Sequence, residues 1–164
     1  MSANCIFVVR NAKQIDRLRC VLVNLAKAKA CGIGFEPMNG LLATQSIGLN
    51  LSDFVFEVCD DFVSNVAELL LSYEGYIVNG RKSPLSLLQR MEILQDIALT
   101  CQPYGEKLEI YLGDNNPYLP DYTVCRLAYT DVANALFKEY QKDSVTPFIP
   151  CIHLIVEKQQ EHLF

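Results

Sequence analysis

The chain opens with a strand-like segment followed by a helix-like one. Residues 4–10 (NCIFVVR) are apolar and rich in β-branched side chains, which predicts a buried strand. Apolar side chains then recur at helical spacing; Asn11 and Gln14 predict a capping box at the helix start, and Gly32 and Gly34 predict its end. This β-then-α order is typical of an α/β domain.

The most regular pattern lies in the middle of the chain, from Ser52 to Glu74. On a period of 3.6 residues its apolar side chains, Phe62 among them, fall on one face. The pattern therefore predicts a long helix with an uncompensated acidic face, formed by Asp53, Glu57, Asp60, Asp61 and Glu68. Just before it, alternation over residues 47–51 predicts a short strand.

The next part of the chain predicts a small strand at residues 76–78, closed by a turn at Asn79-Gly80. A helix is then expected from Ser83, with Pro84 in its first position, until Pro103 ends it.

Beyond residue 107 the pattern changes to strands. Residues 108–112 alternate as a half-exposed strand, a long loop covers residues 113–122, and residues 123–129 predict a return strand paired antiparallel with the first. A helix starting at Thr130 or Asp131 and a buried strand ending at Glu157 complete a β-α-β unit, whose two strands should be parallel.

These elements predict an α/β fold, with α+β as the alternative. The expected architecture is a mixed β-sheet with four to five helices packed against it. A chain of 164 residues with 51% hydrophobic composition fits one globular domain, residues 1–164, with a frayed tail at residues 158–164.

Charge narrows the range of partners. The formal net charge of −5 argues against a nucleic-acid partner, which needs a basic footprint, and favours a basic protein. Residues 1–30 hold six Lys and Arg and one acid, whereas residues 31–80 hold seven acids and no base. Either the fold brings these two segments together, or an acidic patch stays exposed.

The seven cysteines are odd in number and form no C-x-x-C pair, which predicts free thiols in a reducing compartment. The apolar run near the N-terminus is too short for a signal peptide, and no apolar stretch reaches the ~20 residues of a membrane span. A cytoplasmic protein without a membrane anchor is expected.

Catalytic signals are weak. Cys151 and His153 share one face of a strand and could form a nucleophile–base pair, but an apolar run favours core roles for both. The spacing of Cys and His matches no metal site, and Gly32-Ile33-Gly34 follows a helix rather than a strand, so it is not a nucleotide loop. No metal, cofactor or catalytic residue is predicted.

Two segments are candidates for partner binding. One is the acidic face of the predicted helix. The other is the loop GDNNPYLPDY, because Tyr and Asn side chains make adaptable contact surface at low entropic cost. Its candidate contact residues are Asp114, Tyr118, Asp121 and Tyr122.

With the segments SDFVFEVCDDFVSNVAE and GDNNPYLPDY in a small acidic α/β chain, the protein resembles the immunity proteins of bacterial contact-dependent growth-inhibition and related polymorphic toxin systems. The resemblance is one of overall character, and no family residue maps onto a position of this chain. It implies binding and neutralisation of a cognate toxin domain, often a nuclease. Two alternatives stay open: a small enzyme that uses Cys151 and His153, and a non-catalytic oligomeric adaptor. A homodimer is compatible with the immunity protein and with the adaptor.

Overall fold

In a computed structural model, described here for residues 3–35, 47–114, 122–142 and 149–159, the chain is a single α/β domain. Its centre is a six-stranded mixed sheet with the strand order β2-β3-β1-β6-β8-β7. The strands are β1 (Ala3–Arg10), β2 (Gly32–Gly34), β3 (Phe54–Cys59), β6 (Lys107–Asp114), β7 (Thr123–Ala128) and β8 (Ile152–Glu157). A separate hairpin pairs β4 (Ile77–Val78) with β5 (Arg81–Lys82).

Four helices accompany the sheet in the described residues: α1 (Ile15–Lys29), α2 (Glu68–Leu71), α3 (Leu87–Cys101) and α4 (Val132–Lys142). The predicted α/β fold with a mixed sheet is therefore confirmed. Side chains of β1 at odd positions, such as Phe7, lie with the buried side chains of α1, α3 and α4 in the main core. The even positions point to the opposite face of the sheet, because side chains alternate along a strand.

The predicted long acidic helix is wrong. Phe54–Cys59 forms β3, which pairs antiparallel with both β1 and β2, and only Glu68–Leu71 is helical. Phe54, Phe56 and Val58 are buried in the main core, so the true period of this segment is two residues. Phe62, which the helical period places in the core, is exposed.

Other predicted boundaries also differ. Residues 47–51, which the alternation predicts as a strand, contain no strand. Helix α1 starts at Ile15, after Asn11 and Gln14 with positive φ, so the Asn11–Gln14 capping box is absent. Gly32 and Gly34 form β2 rather than the helix end, which is Ala30 in the left-handed conformation.

Helix α3 starts later than predicted. Its cap is Ser86 rather than Ser83: the Ser86 hydroxyl accepts a hydrogen bond from the Gln89 N–H, and the Gln89 side chain accepts one from the Ser86 N–H. This capping box satisfies two of the backbone donors that a helix start leaves without partners.

The pairing of the last strands is partly as predicted. Strand β7 runs parallel to β8, as expected for the β-α-β unit. The predicted hairpin of β6 with β7 is wrong, because β8 lies between them and pairs antiparallel with β6. Strand β6 is therefore central, and its Glu109 and Tyr111 are buried rather than half-exposed.

Candidate functional site

The face of the sheet opposite the main core carries most of the buried polar chemistry of the described chain. Register places Glu57, Ile6, Tyr111 and His153 in one row across β3, β1, β6 and β8. We call this the polar face and define it by its polar side chains, Asn4, Arg10, Glu57, Glu109, Tyr111 and His153. Ile6, Val8 and Tyr111 form a small apolar cluster within it.

Arg10 is the centre of an ionic network at one end of this face. Its Nη1 donates to Asp53 Oδ2 at 2.6 Å, and its Nε donates to Glu109 Oε2. Nη1 also donates to the Gly48 carbonyl at 3.0 Å. Partial burial lowers the pKa of Arg10, but the hydrogen bonds to the two carboxylates outweigh it, so the pKa is raised overall. The guanidinium thus ties β1 to β6 and to the segment before β3.

Glu109 links Arg10 to His153. The Nε2 atom of His153 lies 3.1 Å from Glu109 Oε1, and the hydrogen bond between them is the largest cause of a lowered Glu109 pKa. Burial opposes this effect, Arg10 adds to it, and the pKa of Glu109 falls to about 2. Glu109 is therefore an ionised carboxylate in the buried centre of the sheet.

Two tyrosine rings pack against the His153 ring. Tyr111 stacks on it with ring centroids 4.0 Å apart and an angle of 14° between the planes, and Tyr122 meets it edge-on at 6.5 Å. Burial raises the pKa of Tyr111 to about 12, so its hydroxyl stays protonated at neutral pH. Glu109 supplies an orienting carboxylate for His153 that the sequence does not reveal. Yet the same contact occupies Nε2, and the aromatic rings restrict access to the imidazole.

An open cleft of about 670 Å³ lies beside Arg10, at the end of the sheet where β1 and β8 finish. Its charged lining residues come from four segments and are nearly balanced in sign, with three bases against four acids: Arg10, Lys107 and Lys158 against Asp53, Glu106, Glu109 and Glu157. Asp53 and Glu109 are already paired with Arg10. The cleft therefore does not present a strong field of either sign.

The five carboxylates of the predicted acidic face do not share one surface. Asp53 is paired with Arg10 and accepts hydrogen bonds from the Asn50 and Asn11 N–H groups. Partial burial raises its pKa, but these hydrogen bonds outweigh that effect and lower it overall. Asp60 accepts from the Leu69 and Leu70 N–H groups, so it binds the first turn of α2.

Glu57 is a buried residue of the polar face. Its residue surface is 2% exposed, and its Oε1 accepts a 2.6 Å hydrogen bond from Asn4 Nδ2. Burial raises the pKa of Glu57, and the Asn4 hydrogen bond only partly offsets this. A buried carboxylate on the polar face cannot contact a partner, so Glu57 drops out of the predicted interface.

Asp61 and Glu68 remain near the surface. Asp61 is exposed and accepts hydrogen bonds from the Val63 and Ser64 N–H groups in a tight turn. Glu68 is half-buried and accepts one from Asn79 Nδ2 at 3.3 Å. Neither forms an ion pair with another described residue.

The structure describes only part of the loop at residues 113–122 that is predicted to bind a partner. Tyr118 and Asp121 lie outside the described residues, and only the backbone of Asp114, at the end of β6, is described. Tyr122 is half-buried against Tyr111 and His153. Tyr122 therefore belongs to the polar face.

The segment between β3 and α3 exposes apolar and aromatic side chains that the sequence pattern does not predict to be exposed. Val63 is 97% exposed and Ile77 is 68% exposed, with Phe62 and Tyr76 exposed as well. Two contacts fold this segment back on itself: Asp60 binds the start of α2, and Glu68 binds Asn79 in the β4–β5 turn. We define the 61–77 surface as six side chains of this segment: Asp61, Phe62, Val63, Glu68, Tyr76 and Ile77.

The structure also locates the basic residues near the N-terminus. Lys29 pairs with Asp96 on α3, and the Arg19 guanidinium lies over the rings of Phe35 and Phe54. Arg10 pairs with Asp53. Within the fold, the charge of the acidic segment at residues 31–80 is thus offset in part by strand β1, because Arg10 pairs with Asp53.

No cluster of three or more Cys, His, Asp or Glu that could hold a metal ion occurs within the described ranges. No helix in the same ranges has the length and hydrophobicity needed to cross a membrane.

Comparisons with protein-family models, with curated proteins and with solved structures found no match.

Proposed function

We propose that this chain is an immunity-type protein that binds a cognate toxin domain through the 61–77 surface. The observation that carries the proposal is the exposure of Val63 and Ile77 on a segment that also carries Asp61 and Glu68. An apolar centre beside polar and charged groups is the composition of a protein interface. The free energy of burying these side chains against a partner, roughly 25 cal/mol per Å², favours association.

Charge supports a basic toxin domain as the partner. The chain carries a net charge of −5, and a nuclease groove must be basic to attract phosphate. Opposite net charges accelerate encounter and select partners, whereas the apolar contacts supply the affinity. The acids of this surface are Asp61 and Glu68, whereas Arg81 and Lys82 on β5 are exposed bases outside it.

The enzyme alternative has one observation in its favour, the contact of Glu109 with His153. It is the weaker proposal because Glu109 already occupies Nε2 and the His153 side chain is only 15% exposed.

The test is a protection assay in cells. We expect a cognate toxin to be encoded directly upstream. The chain is co-expressed with the C-terminal domain of the protein that the upstream gene encodes, and growth is measured. The double substitution Phe62→Ser and Val63→Ser should abolish protection, because it removes the apolar contact area while leaving charge unchanged. Both side chains are exposed, so stability should change by only about 0.5 kcal/mol each.

Leu49→Ser with Leu51→Ser is the matched control. Both leucines are exposed, and they belong to the opposite end of the sheet, near the Arg10 cleft. The control should protect like the unmodified chain. Full protection by the Phe62/Val63 variant would contradict the proposed surface, and no protection by the unmodified chain would contradict the proposed function.

A further inference from the structure

A second cavity lies beside the start of α3, apart from the polar face. It is open, has a volume of about 300 Å³, and is lined by the segment between α2 and α3 and by Arg90 of α3. This volume is at the lower limit of small-ligand sites. Tyr73 and Tyr76 contribute aromatic surface, with ring centroids 5.8 Å apart.

Arg90 is the unusual member of this lining. It is 2% exposed, although it carries a full positive charge. Its Nη1 donates to the carbonyls of Leu69, Leu70 and Ser72 and to the Ser72 hydroxyl, and its Nε donates to the carbonyls of Leu85 and Ser86. These bonds fix the guanidinium but supply only neutral acceptors.

Nη2 of Arg90 differs from the other two nitrogens. It donates no hydrogen bond to any described residue, and the nearest carboxylate oxygen, Glu74 Oε2, lies 3.8 Å away. Glu74 is 62% exposed and accepts a hydrogen bond from the Leu87 N–H. Burial lowers the pKa of Arg90, and Tyr140, Glu74 and Asp60 only partly restore it. A cation on a buried residue is costly unless an anion meets it, and Nη2 is the donor of Arg90 that is left for a ligand.

The other lining groups match an anion with an apolar body. Lys82 adds a second positive charge, and Ser83 adds a hydroxyl. Pro84, Leu85 and the two tyrosines offer apolar contact for a planar ring. Glu74 is the one carboxylate of this lining.

We propose that this cavity binds a small carboxylate with an aromatic or similarly planar apolar body, whose oxygens accept hydrogen bonds from Arg90 Nη2 and Lys82. Nη2 can donate a charge-assisted hydrogen bond to one carboxylate oxygen, because Nε and Nη1 already donate to backbone carbonyls. The site does not depend on the proposed toxin binding. Its test needs neither a partner nor growth.

The experiment titrates the purified chain with benzoate and follows amide signals of Gly75, Tyr76, Ser86 and the Arg90 Nε–H by NMR. We expect saturable shifts of these signals with a Kd of about 1 mM, which corresponds to about −4 kcal/mol. Benzamide has the same shape without the charge and should bind at least about tenfold more weakly, because a charge-assisted bond is roughly twice as strong as a neutral one. Phenyl phosphate identifies the preferred oxyanion, and tighter binding than benzoate would overturn the assignment to a carboxylate.

Two substitutions should have opposite effects. Lys82→Gln should weaken benzoate binding about threefold to tenfold, whereas Glu74→Gln should tighten it by a similar factor, because it removes a like charge. The side-chain amide introduced by Glu74→Gln can still accept the hydrogen bond from the Leu87 N–H. Lys138→Gln and Glu92→Gln are the controls; they make the same charge changes at exposed positions outside the lining and should leave the Kd unchanged.

Arg90 itself is not substituted, because its six hydrogen bonds hold the segment in place. Equal binding of benzoate and benzamide would overturn the proposal. So would the absence of saturable shifts, or a Glu74→Gln variant that binds benzoate more weakly than the unmodified chain.

Discussion

Glu57 and Glu109 are two buried carboxylates of the same sheet face with opposite electrostatic surroundings. Glu109 meets His153 and Arg10, whereas Glu57 meets only the neutral amide of Asn4 among described residues. The pKa of Glu109 is therefore lowered to about 2, and that of Glu57 is raised. Burial is similar at both positions, so the partner decides the sign of the shift.

Replacing Glu109 with Gln should destabilise the fold at pH 7, by about 2–3 kcal/mol from the size of its pKa shift. A lowered folded-state pKa contributes stability that is present above the unfolded value of about 4.3 and is lost as the pH falls toward 2. The deficit of Glu109→Gln should thus shrink steadily below about pH 4.3. Urea unfolding at a series of pH values measures it.

Replacing Glu57 with Gln should have the opposite sign. A raised folded-state pKa makes the ionised carboxylate a cost to the fold above that pKa, and the cost disappears below the unfolded value of about 4.3. Glu57→Gln should therefore be more stable than the unmodified chain at pH 7 and equal to it near pH 3. A loss of stability at pH 7 would contradict this account of Glu57.

At the scale of elements, β1 and β8 could be predicted because each is a short apolar run with β-branched side chains, and α1 because its apolar side chains recur at helical spacing. The segment from Phe54 to Cys59 could not, because its apolar side chains fit both periods. Val55 and Val58 suit a helical stripe, while Phe54, Phe56 and Val58 suit a strand buried on one side. Pairing of β3 with β1 and β2 on both sides decides between the two, and a single sequence does not show those partners.

Close packing of β2 against the turn after β3 gives an element-scale prediction. A Cβ on Gly32 would lie 2.0 Å from the Asp61 carbonyl oxygen, so Gly32→Ala must displace backbone. We expect a loss of about 1–3 kcal/mol in the free energy of unfolding.

Gly34→Ala is the control in the same strand, since its Cβ would meet nothing within 4 Å. It should leave stability unchanged or raise it by about 0.5 kcal/mol. Equal losses for both variants in thermal unfolding would show that β2 does not pack against the Asp61 turn.

For the whole molecule, the α/β class and the parallel β7–β8 pair follow from element order, whereas the strand order of the sheet does not. Short connections predict that β6 and β7 pair with each other, but β8 enters between them. The candidate site depends on these long-range pairings. Arg10, Asp53, Glu109 and His153 are far apart in sequence and meet only because β1, β6 and β8 are neighbours.

The fold of residues 52–74 changes the basis of the immunity-protein hypothesis. Its acidic helix is replaced by a strand whose carboxylates are partly used inside the fold. In our proposal the contact area comes instead from the exposed side chains Phe62, Val63 and Ile77, and the charge from Asp61 and Glu68. The central claim is that a toxin domain contacts this end of the molecule rather than the Arg10 cleft at the other end.

The decisive measurement is hydrogen exchange of the purified chain with and without the candidate toxin domain, the C-terminal domain of the protein that the upstream gene encodes. We expect added protection of backbone amides at residues 61–68 and 76–79, with exchange at residues 47–53 unchanged. Protection confined to residues 47–53 and 106–109, beside the Arg10 cleft, would contradict it. So would the absence of any change at a toxin concentration far above that of the chain.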